Sequence, residues 1–310
     1  MNRLGSRMTS AWGWRLRRLG LALLVLLASL PARSAEVLLT GLEDSPGVRA
    51  FTGALAQQRP NDQIRFVPLA QMPDPSRLPP ATRLILLDPA SLDWRLKDKQ
   101  GPATLVLRIS RLQAMQRLGS AAIANLSLLW SDPPLSRQLR LIREVMPQAR
   151  RIGVLYTQGS EFLLTELNQA AKPLGLEIVP QRWDDTRDSR PLQTLLKSCD
   201  VLLGLDDPTL YNPGTAKNLL LSSYARQLAL IGPNAGFVKA GSLASTYSDQ
   251  TDWLAILDEL LDRAPSSWPD SLYPRRFKVL SNPQVARSLG IEPIDEASLA
   301  SRLAEGETRP

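Results

Sequence analysis

PLSRQLRLIREVMPQARRIGVLY, residues 134–156, contains the repeating unit of the fold. Leu135, Leu139, Ile142, Val145 and Met146 recur at helical spacing and make one apolar face. Asp132 is placed to cap that helix, and Pro147 stops it. RIGVLY then runs apolar without alternation, as a strand covered on both faces does. A helix feeding a doubly covered strand is half of a parallel α/β unit. The question is how often the unit recurs.

Working outward, continuous apolar runs predict strands over 37–40, 64–68, 83–88, 104–109 and 123–129 on the N-terminal side. Further runs cover 151–156, 176–181, 201–205, 228–231, 242–247 and 277–280. Helices are predicted over 46–57, where Ser45 caps and Pro46 takes the first position, and over 134–146, 161–174, 218–227, 253–263 and 283–289. Gly290 ends the last of these, one more helix follows residue 294, and GETRP at the C-terminus frays. Eleven strands crowd one ordinary sheet, so two doubly wound parallel-sheet lobes are expected, one from the strands before residue 130 and one from about 151 onward. The proline-rich stretches 72–80 and 264–274 read as loops.

Composition removes several classes of function. Residues 1–35 combine Arg3, Arg7, Arg15, Arg17, Arg18 and Arg33 with the apolar run LALLVLLASL and a small-residue exit. This predicts a signal peptide; the run is too short for a comfortable membrane span. Taking those six arginines from the 37 basic residues leaves 31 against 30 acids, so the formal +7 shrinks to +1. No electrostatic footprint for nucleic acid remains. The chain has no histidine, which excludes Ser-His-Asp and Cys-His catalysis and the usual zinc sites. Its single cysteine, Cys199, is too far along to carry a lipid and reads as a small buried residue. No phosphate-binding glycine motif is present, and no cofactor is predicted. A soluble, monomeric periplasmic protein that is not an enzyme is the expectation.

In parallel α/β sheets, ligands bind beyond the carboxyl ends of the strands. That rule selects Ser45, Asp88, Ser110 with its neighbour Arg111, and Tyr156 as candidates. It also selects Asp206 and Asp207 in VLLGLDDPTLYN (201–212), Asn234 after the strand 228–231, and Tyr247. Adjacent residues of an extended chain point to opposite sides, so one of Asp206 and Asp207 is expected to face a cleft, suited to an ammonium or hydroxyl group. Replacing both with alanine is expected to weaken binding without unfolding the chain.

Residues 134–156, IGPNAGFVKAGSLAST (231–246) and FKVLSNPQVARSLGI (277–291) resemble, in order, a family of ABC-transporter substrate-binding proteins, over about 128–291. The resemblance implies the type-I periplasmic-binding-protein fold, with a ligand cleft between two α/β lobes joined by three crossovers. These would lie near 127–132, 241–247 and 265–273. The lobes would be 36–128 plus 246–265, and 130–242 plus 270–295, with 296–310 as a tail. It also implies a small polar ligand, often an amino acid, and an inner-membrane ABC permease as partner. Asp206 or Asp207, Asn234 and Tyr247 carry over as contacts. Residues 36–123 match the family poorly. An alternative is a sensory or accessory protein acting with a membrane receptor or an outer-membrane transporter.

Overall fold

The computed structural model describes residues 35–308 apart from 120 and 122. The predicted signal peptide lies almost wholly outside the described residues. Among those described, no helix is long and apolar enough to cross a membrane.

Twelve strands form two six-stranded sheets. The first sheet uses β1 (Glu36–Gly41), β2 (Gln63–Pro68), β3 (Arg83–Leu86), β4 (Ala103–Ile109), β5 (Leu126–Trp130) and β11 (Ser271–Leu272), in the order β11-β5-β4-β3-β1-β2. All of its pairings are parallel. The second uses β6 (Arg151–Tyr156), β7 (Glu177–Arg182), β8 (Val201–Leu203), β9 (Leu230–Ile231), β10 (Ala244–Tyr247) and β12 (Lys278–Ser281), in the order β12-β10-β9-β8-β6-β7. Only β12 runs antiparallel, beside β10.

The helices are α1 (Pro46–Gln58), α2 (Pro89–Arg95), α3 (Arg111–Leu118), α4 (Leu135–Val145), α5 (Leu163–Ala171) and α6 (Arg190–Leu195). After them come α7 (Pro213–Tyr224), α8 (Ala235–Ala240), α9 (Gln250–Leu261), α10 (Pro283–Ser288) and α11 (Glu296–Thr308).

The period-two geometry of strands explains the double cover. Val37, Leu39, Ile85, Leu105 and Leu107 meet Trp253, Leu257 and Leu260 of α9 on one face. Leu38, Leu84, Leu86 and Val106 meet Leu92, Trp94 and Ala114 on the other. The second sheet repeats this plan. Ile152, Val154 and Leu203 pack under α4, α5 and α11, while Leu155, Leu202 and Leu230 pack under α6, α7 and α8. Each fully buried leucine contributes about 2 kcal/mol relative to its exposed state, so neither face can be left open.

The chain passes between the lobes three times. It leaves β5 for α4 through 131–134, β10 for α9 through 248–249, and β11 for β12 through 273–277. The last two crossings come later in the chain than the resemblance placed them, because β10 belongs wholly to the second sheet and β11 to the first. Strand β11 lies inside what read as a loop; two residues are too few to show a pattern.

Asp132 does not cap α4. That helix starts at Leu135, with Pro134 at the N-cap and no side-chain cap, and Asp132 turns to accept a hydrogen bond from the Arg111 backbone N–H at 2.9 Å. The C-terminal residues do not fray before Thr308. Helix α11 buries Leu299 and Leu303 in the second lobe, and Glu307 clamps the buried Arg137 guanidinium through two hydrogen bonds of 2.5 and 3.0 Å.

Candidate functional site

The carboxyl ends of both sheets face the crossovers, so the strand-end residues of the two lobes meet across a gap. On the first lobe, Ser45 Oγ caps α1 by accepting from Val48 N at 3.2 Å. It lines a cavity of about 410 Å³ with Arg108, Ser248, Asp249, Gln250 and Trp253. Asp88 spends both carboxylate oxygens on backbone. Oδ1 caps α2 at Ser91 N (2.8 Å), and Oδ2 takes Leu42 N (2.6 Å). Gly41 permits that approach, because a Cβ there would stand 2.7 Å from Asp88 Oδ2. Buried Ser110 forms a capping box with Gln113. Its structural product is the placement of Arg111 as the first residue of α3.

Between these caps, β4 bulges. Its register against β5 shifts between Leu107 and Ile109, and Arg108 takes φ 59°. A bulge turns a side chain away from the ladder, and a left-handed non-glycine residue is a form of strain that gathers at functional sites. Arg108 is exposed and faces the same cavity as Ser45.

On the second lobe, Asp206 and Asp207 diverge. Asp207 is 1% exposed and accepts from Thr157 Oγ1 and Ser160 Oγ, both at 2.7 Å, and from Thr209 N at 2.9 Å. It fastens the loop after β6 to the end of β8. The expectation that both aspartates can be removed without unfolding is therefore revised: Asp207 is part of the interior. Asp206 instead hydrogen-bonds Asn234, which also caps α8 by accepting from Phe237 N at 3.2 Å. Tyr156 ends β6 half-buried against the core. Tyr247 ends β10, in register with Lys278. Lys278 in turn bridges Asp249 (2.5 Å) and Asp252 (3.1 Å), tying the second and third crossovers together.

Five residues at the gap were absent from the set of candidates, Arg108, Asp132, Phe162, Glu166 and Tyr273, and Arg111 entered it only beside Ser110. Arg111 Nη1 reaches 2.6 Å from Glu166 Oε2 on α5 of the opposite lobe, and its guanidinium lies 5.9 Å from the Phe162 ring. Arg111 also hydrogen-bonds Tyr273 in the third crossover, whose ring packs 6.4 Å from Trp130. Arg111 was visible as the neighbour of Ser110 at a strand end, and Asp132 by the same rule. Glu166 and Tyr273 carry no local signal.

The charges are unevenly matched. Burial pushes the Asp132 carboxyl up to about 7; the Arg111 N–H opposes this and the charge of Asp206 adds to it. Burial also raises Asp206, against its hydrogen bond from Asn234 and with the charge of Asp207. Buried carboxylates near one another resist ionising together, and an added cation relieves them. The arrangement suits an ammonium group between Asp132 and Asp206, with arginine nearby for an anion. Among the described residues, no group of three or more acids and cysteines is placed to hold a metal. A larger cavity, about 760 Å³, lies at the far end of the second lobe among Met146, Pro147, Ile291, Leu299 and Arg302, away from this chemistry.

Solved structures show the fold. An ABC domain in complex with L-Trp from Streptococcus pneumonia is 17% identical, covering 86% of this chain and 98% of its own, with TM-score 0.56. The ligand-free, open structure of a substrate binding protein with adhesive properties from Clostridium difficile is 18% identical, covering 84% and 96%, with TM-score 0.60. A conserved domain protein from Vibrio cholerae is 15% identical, covering 87% and 98%, with TM-score 0.55. No family model matches the sequence, and no curated protein does. The chain has the two-lobed α/β fold of type-I periplasmic binding proteins.

Proposed function

We propose that this chain is a periplasmic binding protein that captures a small solute bearing both an ammonium and a carboxylate, an amino acid being the simplest, and releases it unchanged to an ABC-type importer. One observation carries the reading. Arg111 from the first lobe, Asp206 from the second and Asp132 at a crossover converge on the same gap. A dipolar solute between the lobes can meet the arginine of one and the aspartate of the other at once. Closure is then driven by contacts that exist in the closed form alone. The solved relative with L-Trp supports the ligand class, and the fold supports the lobe motion.

The test is a thermal-shift screen of purified chain, from residue 36 onward, against the twenty amino acids, their C-terminal amides, sugars and purines. A ligand at 100 times its dissociation constant stabilises the folded state by about 2.7 kcal/mol. At least one amino acid is expected to raise the melting temperature, and Asp206→Asn is expected to remove the rise. A screen in which sugars or purines act and amino acids do not would overturn the ligand class. Import is separated from sensing by asking whether the loaded chain stimulates ATP hydrolysis by a reconstituted permease.

A further inference from the structure

The contact between Arg111 and Glu166 spans the cleft, since one residue opens α3 and the other lies in the first turn of α5. It is a one-point salt bridge. Arg111 Nη1 stands 2.6 Å from Glu166 Oε2, a single short charge-assisted contact. The charges are together without the parallel fork geometry that makes arginine–carboxylate pairs strong. The two side chains also differ in how firmly they are held. Arg111 is 18% exposed, packed beside Phe162 and bonded to Tyr273, whereas Glu166 is 44% exposed. The cation is built in, and the anion stands at the rim where it can leave.

We propose that Glu166 is an internal stand-in for the ligand's carboxylate, pairing with Arg111 across the cleft until a bound carboxylate exchanges with it. This rests on the cleft being the ligand seat. An incoming carboxylate takes the place of Glu166 on the Arg111 guanidinium, with two oxygens free to form the fork, and Glu166 turns to solvent. The exchange keeps the charge count of the gap unchanged. Without a resident anion, Arg111 would be a partly buried cation facing only the backbone-bonded Asp132 and the phenol of Tyr273. The stand-in therefore does two things. It holds the lobes in contact through a weak pair, and it sets a threshold that a carboxylate must exceed to bind.

The experiment uses the full mature chain and sodium acetate, the simplest carboxylate, titrated at constant ionic strength with chloride and followed by tryptophan fluorescence. Wild type, Glu166→Gln, Arg111→Gln and the double variant are compared, with small-angle X-ray scattering of each before titration. Acetate is expected to bind Glu166→Gln at least ~5-fold more tightly than wild type, the size of a partly exposed ion pair. It is expected not to bind either variant that lacks Arg111. Glu166→Gln is expected to enlarge the radius of gyration, and the double variant no further. Equal acetate affinity in wild type and Glu166→Gln overturns the exchange, and so does binding that survives Arg111→Gln. Additive enlargement in the double variant overturns the latch. Should Arg111→Gln fail to fold, Arg111→Lys keeps the charge without the fork, and acetate affinity there equal to wild type overturns the exchange. Failure of every amino acid in the screen would refute the proposed ligand class and leave these comparisons standing.

Discussion

Replacing Asp132 with asparagine isolates the electrostatic cost built into the cleft. Asp132 is 8% exposed, and burial lifts its pKa from 3.8 to about 7. A shift of about three units corresponds to about 4 kcal/mol at roughly 1.36 kcal/mol per unit. The sign follows from proton binding. The folded state holds the proton more tightly than the unfolded chain, so this stabilising contribution is full below about pH 4. It is lost as pH rises toward 7, and above that the ionised carboxylate is a standing penalty. Asparagine keeps an oxygen to accept the Arg111 N–H and never ionises. Asp132→Asn should therefore leave stability at pH 4 nearly unchanged and raise it at pH 8 by up to about 4 kcal/mol. In a chain of this size that is roughly 8 °C in melting temperature. Thermal melts of both proteins between pH 4 and 8 measure this directly. Asp206 is also raised and keeps its own slope, so the signature is a difference between the two curves. Parallel curves would refute the claim that Asp132 is a buried, strained carboxyl.

Other substitutions test other parts of the molecule. Asp207→Ala removes an interior acceptor from three donors and should cost about 3 kcal/mol in urea denaturation, while Asp206→Asn should leave the urea midpoint within error or raise it. Glu307→Gln leaves the Arg137 guanidinium, stacked 3.7 Å from the Phe277 ring, buried without its counter-charge. It should cost about 3 kcal/mol, and a melting temperature equal to wild type would contradict the clamp. Gly153→Ala would set a Cβ 2.6 Å from Cys199 Sγ. It should destabilise by about 2 kcal/mol and be relieved in the double variant with Cys199→Gly, as judged by melting temperature.

Most of the scaffold was readable from the chain because covered parallel strands are written as unbroken apolar runs. Eleven such runs each overlap a strand, while β11, two residues long, has no pattern to read. The short helices α2, α3, α6 and α8 were not predicted as elements, although their starts at Asp88-Pro89, Ser110 and Asn234 were singled out for another reason. The site was half readable. Strand ends led to Ser110, Asp206 and Asn234, but the groups that shape the gap's charge depend on pairings between lobes. Arg111 meets Glu166 55 residues away in sequence, and Asp132 feels Asp206 74 residues away. Such pairs exist only where the two sheets lie face to face, and neither residue's neighbours in the chain announce its partner. The same reasoning explains Asp207, whose three donors from two loops were invisible until the ends of β6 and β8 lay together.

The most direct test is a crystal structure of the chain from residue 36 onward, grown with an equimolar mixture of the twenty amino acids. Density is predicted in the gap between the lobes, with an ammonium within hydrogen-bond distance of Asp206, a carboxylate on Arg111 and Glu166 turned outward. A solute held instead beside Met146 and Leu299 at the far end of the second lobe, or lobes closed on each other with Asp206 and Arg111 touching nothing but protein, would contradict the account.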